Sequence, residues 1–463
     1  MAVLPGPAAR IAIVGGGPAG YEAALVAVEL GACVTLVDRD GVGGQCVLSD
    51  CVPSKTFIAT GEAMTEFAHA DRLGVHTTGE VTTGVAEVHA RVKALALAQS
   101  ADIAARLSRQ GVQLLSGSAR LTAPHTVEVT GAESTTTLEA DVVLLATGAR
   151  PRVLPGAEPD GERILDWRQL YDLPELPEHL VVIGSGVTGA EFANSYLAVG
   201  SRVTLVSSRE RVLPGEDGDA AELLQTVFER RGMAVRRGRA AGVERTTGGV
   251  RVQLTDGSSV EGSHALLTVG SVPNTGGMGL EEVGVALDDG GFVAVDRVSR
   301  TSLAGVYAAG DCTGKLMLAS VAAMQGRIAM WHALGEAVAP LRLGTVSANV
   351  FTDPQVASVG VTQTQVESGA VAAHSVRLPL ATNPRAKMQG ITDGFVKFFC
   401  RPGTGTVLGG VVVAPGASEL IMPISLAVQH ALTADQVAHS FSIYPSLSGS
   451  VTEAARQLMA HED

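Results

Sequence analysis

Residues 10–40 read RIAIVGGGPAGYEAALVAVELGACVTLVDRD: a short apolar run, a glycine turn, an alanine-rich helical pattern and a second apolar run ending in an acid. Gly15, Gly17 and Gly20 set the spacing G-x-G-x-x-G, with Pro18 and Ala19 inside it. Between a strand and a helix the three glycines serve in turn the tight bend, the room for a pyrophosphate to approach the backbone, and close helix–strand packing. The helix N-terminus adds free N–H groups and positive dipole for phosphates. Asp38 ends the second run 23 positions after Gly15, where a carboxylate suits a ribose diol. In a chain with 55 glycines the bare pattern is often only a turn. Strand, helix and acid together point to a dinucleotide.

The pattern recurs at residues 179–211, HLVVIGSGVTGAEFANSYLAVGSRVTLVSSRER, with Gly184, Gly186, Val187, Thr188 and Gly189 in the same setting. Each copy continues into a polar hairpin-like segment, an apolar strand and a small-residue turn. The turn is Thr147–Gly148 in DVVLLATGARP and Gly270 in HALLTVGSVPN. The first copy also holds a helical insert, EVHARVKALALAQSADIAARL, and a cysteine segment. The expected architecture is α/β, with two Rossmann-like dinucleotide-binding units. At the position of Asp38 the second copy has Ser207, followed by Ser208, Arg209 and Arg211. Hydroxyls and guanidinium groups suit a 2′-phosphate that a carboxylate would repel, so NADPH is favoured over NADH. Ordinary surface arginines on a solvated loop are the competing reading, at roughly even weight.

Composition narrows the partners. With 34 basic against 47 acidic residues the net charge is −13, which repels phosphate polyanions and argues against nucleic acid. Hydrophobic residues make up 46 %, enough for large cores. No apolar run approaches the roughly 20 residues of a membrane helix. The N-terminus lacks a signal-peptide layout, and a cytoplasmic protein is expected.

The cysteine segment, residues 41–57, reads GVGGQCVLSDCVPSKTF. Cys46 and Cys51 are five positions apart. In a regular helix that is about 7.5 Å of axial rise, beyond the roughly 7 Å Cα limit for a disulfide. A bridge between them therefore requires a distorted helix start. A zinc site would need further ligands, and Cys33, Cys312 and Cys400 stand alone in the sequence and read as small buried residues. No metal is expected.

With these pieces placed, the chain resembles the flavoprotein disulfide reductases, and within them the lipoamide dehydrogenase-like branch. The motifs are GGGPAGYEAA, GGQCVLSDCVPSK, LLATGARPR, GSGVTGAEF, TVGSVPNT and VYAAGDCTG, in the family's order over essentially the whole length. The resemblance implies FAD in the first site, held by the first glycine turn, Asp38, Gly44, Cys46, Lys55, Ala119, Thr147, Gly148, Gly310, Asp311 and Ala319. It implies NAD(P)H in the second, held by the second glycine turn, Glu191, Ser207, Ser208, Arg209 and Gly270. Lys55 would lie beside flavin N5, paired with Glu191. Cys51 would face the flavin and Cys46 the substrate, as a redox pair. It further implies a homodimer joined by a C-terminal α+β domain, with expected bounds of 1–155 and 277–345 for the two parts of the first dinucleotide-binding domain, 156–276 for the second and 346–463 for the last.

The family's thiol chemistry also needs a histidine before a proline near the C-terminus, oriented by a glutamate and supplied by the other subunit. This chain reads FSIYPSLSGSVTEAAR there. Tyr444 stands at the histidine's place and Gly449 at the glutamate's. A phenol of pKa near 10 is a poor base at pH 7, though it donates a hydrogen bond. His439 is out of register. Ser320, Ala323, Met324 and Gln325 lighten the charge around the flavin, and Ser271 stands where an arginine is frequent. The expectation is an FAD-dependent NAD(P)H:quinone reductase, with Cys46, Cys51, Lys55, Glu191 and Tyr444 as its reactive residues. Two rivals stay open: reduction of a low-molecular-weight disulfide without the usual base, and a flavin-binding redox sensor or subunit.

Overall fold

Apolar runs flanking a glycine turn behave as a βαβ unit requires. Arg10–Val14 (β1) pairs in parallel with Cys33–Asp38 (β2), and the helix Pro18–Glu29 (α1) crosses between them with its alanines buried. The computed structural model, which describes residues 8–459, extends this pair into a five-stranded parallel sheet. From one edge to the other its order is Val306–Ala308, Val142–Leu145, β1, β2 and Gln113–Ser116. The central strands are buried on both faces, so they read as continuous Val, Ile and Leu runs.

The second copy repeats the plan. Ala234–Arg237, Arg202–Ser207, His179–Ile183, His264–Leu267 and Ile164–Asp166 form another five-stranded parallel sheet. Four strands correspond one to one. The fifth is taken from later in the chain in the first copy and from earlier in the second. Each copy carries a three-stranded antiparallel meander, Ser118–Glu139 and Ala240–Gly262, where the polar hairpin-like segments were expected.

Between β2 and Gln113–Ser116 the chain forms a five-residue helix Gly44–Leu48 (α2), a long helix Cys51–His69 (α3) and a 25-residue helix Val85–Arg109 (α4). These are the helical insert. The C-terminal segment folds as an antiparallel sheet in the order Ser347–Val350, Gln355–Gly360, Val407–Ala414, Phe395–Cys400, His374–Pro379. Helices including Met422–Gln429 and Gly449–Met459 cover it.

By internal contacts the described chain falls into two units. One takes in the chain to Ser54, then Ala90–Arg152 and Gly270–Leu343; the other takes in Lys55–His89, Val153–Val269 and the chain from Gly344 on. The first has its core on both faces of its parallel sheet. The second has one core under its parallel sheet and meander and another under the C-terminal sheet. No described helix is long and apolar enough to cross a membrane.

Candidate active site

The first glycine turn leaves no room for side chains at two of its three glycines. A Cβ on Gly15, whose φ is +109°, would meet the Ala146 carbonyl oxygen at 2.2 Å, and one on Gly20 would meet the Gly15 oxygen at 1.8 Å. Gly17 faces open space, and as the N-cap of α1 it brings no side chain to the helix's free N–H groups. That combination fits a pyrophosphate. Asp38 is fixed at the turn's edge: one oxygen accepts from Gly16 N–H at 2.6 Å, the other from Asp40 and Gly41 N–H at 2.8 Å each. Gly44 is also close, since a Cβ there would come within 2.8 Å of the Gly17 Cα.

The same unit places Thr147 and Gly148 after strand Val142–Leu145, Ala119 on the meander, Gly310 and Asp311 after strand Val306–Ala308, and Ala319 at the start of helix Ala319–Ala333. Gly310 sits at φ +82°, and its N–H donates to the buried Gln325 side chain at 2.9 Å. The Gln325 amide nitrogen in turn donates to the Thr313 hydroxyl at 3.3 Å. Gln325, which in the sequence marks only a lost charge, thus holds the backbone that presents Asp311. Burial pushes the Asp311 carboxyl up to about 6, and the Asp50 charge adds to the effect.

In the second unit Gly184 and Gly189 are as tightly fitted as Gly15 and Gly20, and Gly186, N-cap of helix Val187–Ala198 (α5), faces open space. Val187 and Thr188 form the first turn of α5; Gly270 is exposed at φ +93°. Ser207 needs a correction. It is 1 % exposed, and its hydroxyl bonds to Ser185 Oγ at 2.7 Å and accepts from Arg209 N–H at 3.2 Å. The loop uses that hydroxyl to hold itself, so Ser207 has no free face for a phosphate. Ser208, Arg209 and Arg211 are exposed, and Arg209 and Arg211 line an open cleft of about 530 Å³ with Glu210, Pro214 and Gly215. Glu210 is held aside by Arg237 at 3.1 Å.

The cysteines lie on two helices rather than one. Cys46 is in α2, which ends at Leu48; Ser49 leaves helical geometry at φ −144°, and Cys51 opens α3. The distortion that a bridge requires is present between them. Both are partly exposed. Cys312 and Cys400 are buried as expected, but Cys33 is exposed, because it begins β2 opposite the equally exposed Arg10 at the sheet's end.

One turn after Cys51, α3 presents Lys55. Its ammonium meets Glu191 on α5 at 2.7 Å, with Glu191 only 4 % exposed and Lys55 32 %. The other Glu191 oxygen accepts from the Phe351 N–H at 2.9 Å. The helices can approach this closely because Gly61 of α3 lies against Ser195 and Ala198 of α5. Phe57 and Tyr196 stack beside them at 4.9 Å. Sequence spacing could not bring residues 136 positions apart together. Phe351 belongs to no motif that would have marked it in the sequence.

Tyr444 lies in an exposed loop before helix Gly449–Met459 and is 80 % exposed, beside Phe441 and Ile443. The loop is braced from below: the buried Asn383 side chain donates to Ser446 carbonyl at 3.0 Å and to Ser450 Oγ at 2.8 Å. A Cβ on Gly449 would have no atom nearer than 3.9 Å. His439 caps the short helix Ala434–Ala438 and pairs with Asp435, an exposed helix-end residue.

Two glycine turns that open helices, a Cys-x4-Cys segment and a Lys–Glu pair one turn on are features shared with pyridine-nucleotide flavoenzymes, and the chain belongs to the pyridine nucleotide-disulphide oxidoreductase family. Residues 9–326 match that family's model and residues 346–455 its dimerisation domain. Among individual proteins the chain is similar to the NAD(P)H dehydrogenase (quinone) of Mycobacterium tuberculosis, 58 % identical over 98 % of this chain and 94 % of that one. It is 34 % identical to the dihydrolipoyl dehydrogenase of Chlorobaculum parvum, over 96 % of each. A crystal structure of LpdA from Mycobacterium tuberculosis superposes with a TM-score of 0.94 at 58 % identity, covering 97 % of this chain and 100 % of that one.

Proposed function

We propose that this chain is an FAD-dependent NAD(P)H:quinone oxidoreductase acting in the cytoplasm as a homodimer, with NADPH the preferred donor. The observation that carries the acceptor is the Tyr444–Gly449 loop: intact nucleotide cradles are combined with a C-terminal segment lacking a base for thiol chemistry. The name of the M. tuberculosis relative supports the same acceptor class. FAD, when bound, would supply the two-electron chemistry that links a nicotinamide donor to a quinone acceptor. The residues of the chain do the rest. The glycine turns at Gly15–Gly20 and Gly184–Gly189 would hold pyrophosphates, Asp38 a ribose, and Asp311 the ribityl region. Lys55, oriented by Glu191, would offer a positive charge to a ring that gathers negative charge on reduction. Cys46 and Cys51 form a redox pair that quinone reduction bypasses. An acceptor screen on the purified yellow protein tests the reading. Quinones should turn over and lipoamide or glutathione disulfide should not; the reverse ranking would sink it.

The donor preference has its own test. Ser207→Asp recreates the arrangement of Asp38 in the first copy, with a carboxylate at the strand end. Repulsion of a 2′-phosphate and loss of the loop's hydroxyl bonds should cost about 2 kcal/mol or more, at least tenfold in KM for NADPH. KM for NADH should move far less. Equal changes for both donors would show that this loop does not read the phosphate.

Asp311 gives a pH signature. In the cofactor-free protein its carboxyl titrates near 6 instead of 3.8. Between about pH 4 and 6 the folded chain keeps a proton that the unfolded chain has lost. The contribution of this group to stability therefore falls as pH rises through that window, by about 3 kcal/mol in all. Hydroxyl groups of bound FAD favour the ionised form, so FAD uptake at about pH 5 should release close to one proton. Calorimetry in two buffers of different ionisation enthalpy counts it. Asp311→Asn should abolish the release.

A further inference from the structure

The second unit joins three distant segments at one point. Glu191 on α5 is a nearly inaccessible carboxylate with both oxygens used, one by the Lys55 ammonium at 2.7 Å and one by the Phe351 N–H at 2.9 Å. The same Phe351 turns its ring toward Lys55, with the ammonium 5.1 Å from the ring centroid. Phe351 follows directly on strand Ser347–Val350, the first strand of the C-terminal domain. The next residues continue along α3: Gln355 donates to Glu62 at 3.3 Å, and Glu62 lies two turns after Lys55 on the same helix face. Asp353 between them pairs with Arg231 at 2.9 Å. Residues 351–355 are therefore fixed at several points, and Phe351 is not free to drift from the ion pair.

We propose that Phe351 is a positioning residue for electron entry: its backbone orients Glu191 and its ring holds the Lys55 ammonium, so that the start of the C-terminal domain sets where the active-site cation stands. The physical reason lies in the reach of lysine. A flexible four-carbon stem allows an ammonium several rotamers around the same carboxylate. An aromatic face within about 6 Å, in a partly desolvated place, attracts the cation electrostatically through the ring quadrupole and removes that freedom. A cation held steadily beside a ring that becomes electron-rich on reduction favours the reduced state and speeds hydride arrival. It does so without touching the nucleotide phosphates. The inference rests on the reading that Lys55 faces the flavin. It does not depend on which acceptor is reduced.

The test uses the FAD-loaded enzyme and the reductive half-reaction alone. Phe351→Leu should slow anaerobic reduction of the bound flavin by NADPH three- to tenfold with the apparent Kd for NADPH unchanged. A tenfold loss of preference for the reduced state appears as a midpoint potential more negative by about 30 mV for the two-electron couple. Phe351→Tyr should restore both. Where the leucine variant fails to hold FAD, mono-, di- and trifluorinated phenylalanine at 351 keep the shape and weaken the quadrupole stepwise. Rate and potential should then fall in step with fluorination, a response that packing alone does not give. Lys55→Met serves as the control. If Lys55→Met shifts the potential while Phe351→Leu and the fluorinated series do not, the role of Phe351 is overturned and the reading of Lys55 stands. If Lys55→Met shifts nothing, both are overturned, with the quinone reading untouched.

Discussion

Cys46→Ser should leave turnover with NADPH and a quinone within about twofold of the parent enzyme while removing any disulfide reduction altogether. On the proposed route the electrons have no need to leave through Cys46, since the acceptor would take them from the reduced ring directly. Disulfide reduction instead begins with attack by a thiolate, and serine at neutral pH supplies no comparable nucleophile. The substitution is conservative in the fold as well. Cys46 sits in the five-residue helix α2, partly exposed, and serine is close to it in size. Cys51→Ser should alter the visible spectrum while hydride transfer persists, because on the proposed reading the Cys51 thiolate would lie against the flavin ring as a charge donor. Steady-state rates with a quinone and with a disulfide, measured on one preparation that is still yellow, decide the matter. A folded, flavin-loaded Cys46→Ser enzyme inactive with every quinone would mean that all electrons pass through the cysteine pair.

Tyr444→His combined with Gly449→Glu should raise disulfide reduction by about 10²-fold or more, the range in which a positioned general acid–base acts. The structure makes the double substitution feasible. Within its own chain Tyr444 is exposed and packs against little, and the space around Gly449 admits a side chain. A glutamate at the first residue of helix Gly449–Met459 also meets the favourable end of the helix dipole. The loop that presents both is braced by Asn383 and should keep its course. Either substitution alone should give much less, since an unoriented imidazole or an unpaired carboxylate lacks the geometry. The readout is NADPH oxidation with lipoamide or glutathione disulfide as acceptor. Absence of any gain, with quinone turnover intact, would place the barrier in admission of the disulfide rather than in its protonation.

Much of the fold is legible because it is written in local patterns that repeat. A βαβ unit needs an apolar run, a glycine turn and a helix in consecutive residues, so Arg10–Asp38 and His179–Ser207 announce themselves. The repeat then carries the meanders and the strands that follow them. The cysteine spacing says that a bridge would need a break in the helix, and the chain does leave helical geometry between them at Ser49. Less local features mislead. Residue type argues for a buried Cys33, but the end of a parallel sheet leaves it exposed.

The sequence by itself determined the two βαβ glycine turns and the helical insert, since each depends on residue types at fixed short spacings, and comparison with the family showed Tyr444 and Gly449 in place of its histidine–glutamate pair. Tertiary structure alone decided the rest. Ser207 stands where Asp38 stands, yet its hydroxyl is consumed by Ser185 and the loop's own backbone, which no spacing reveals. Gln325 supports Gly310 from 15 positions away, and Phe351 reaches Glu191 from 160. Such contacts form because α3, α5 and the first strand of the C-terminal domain converge, and convergence is set by packing of whole elements. A half-buried charged pair at that point is oriented by whatever the fold brings beside it, and its neighbours therefore had to be seen.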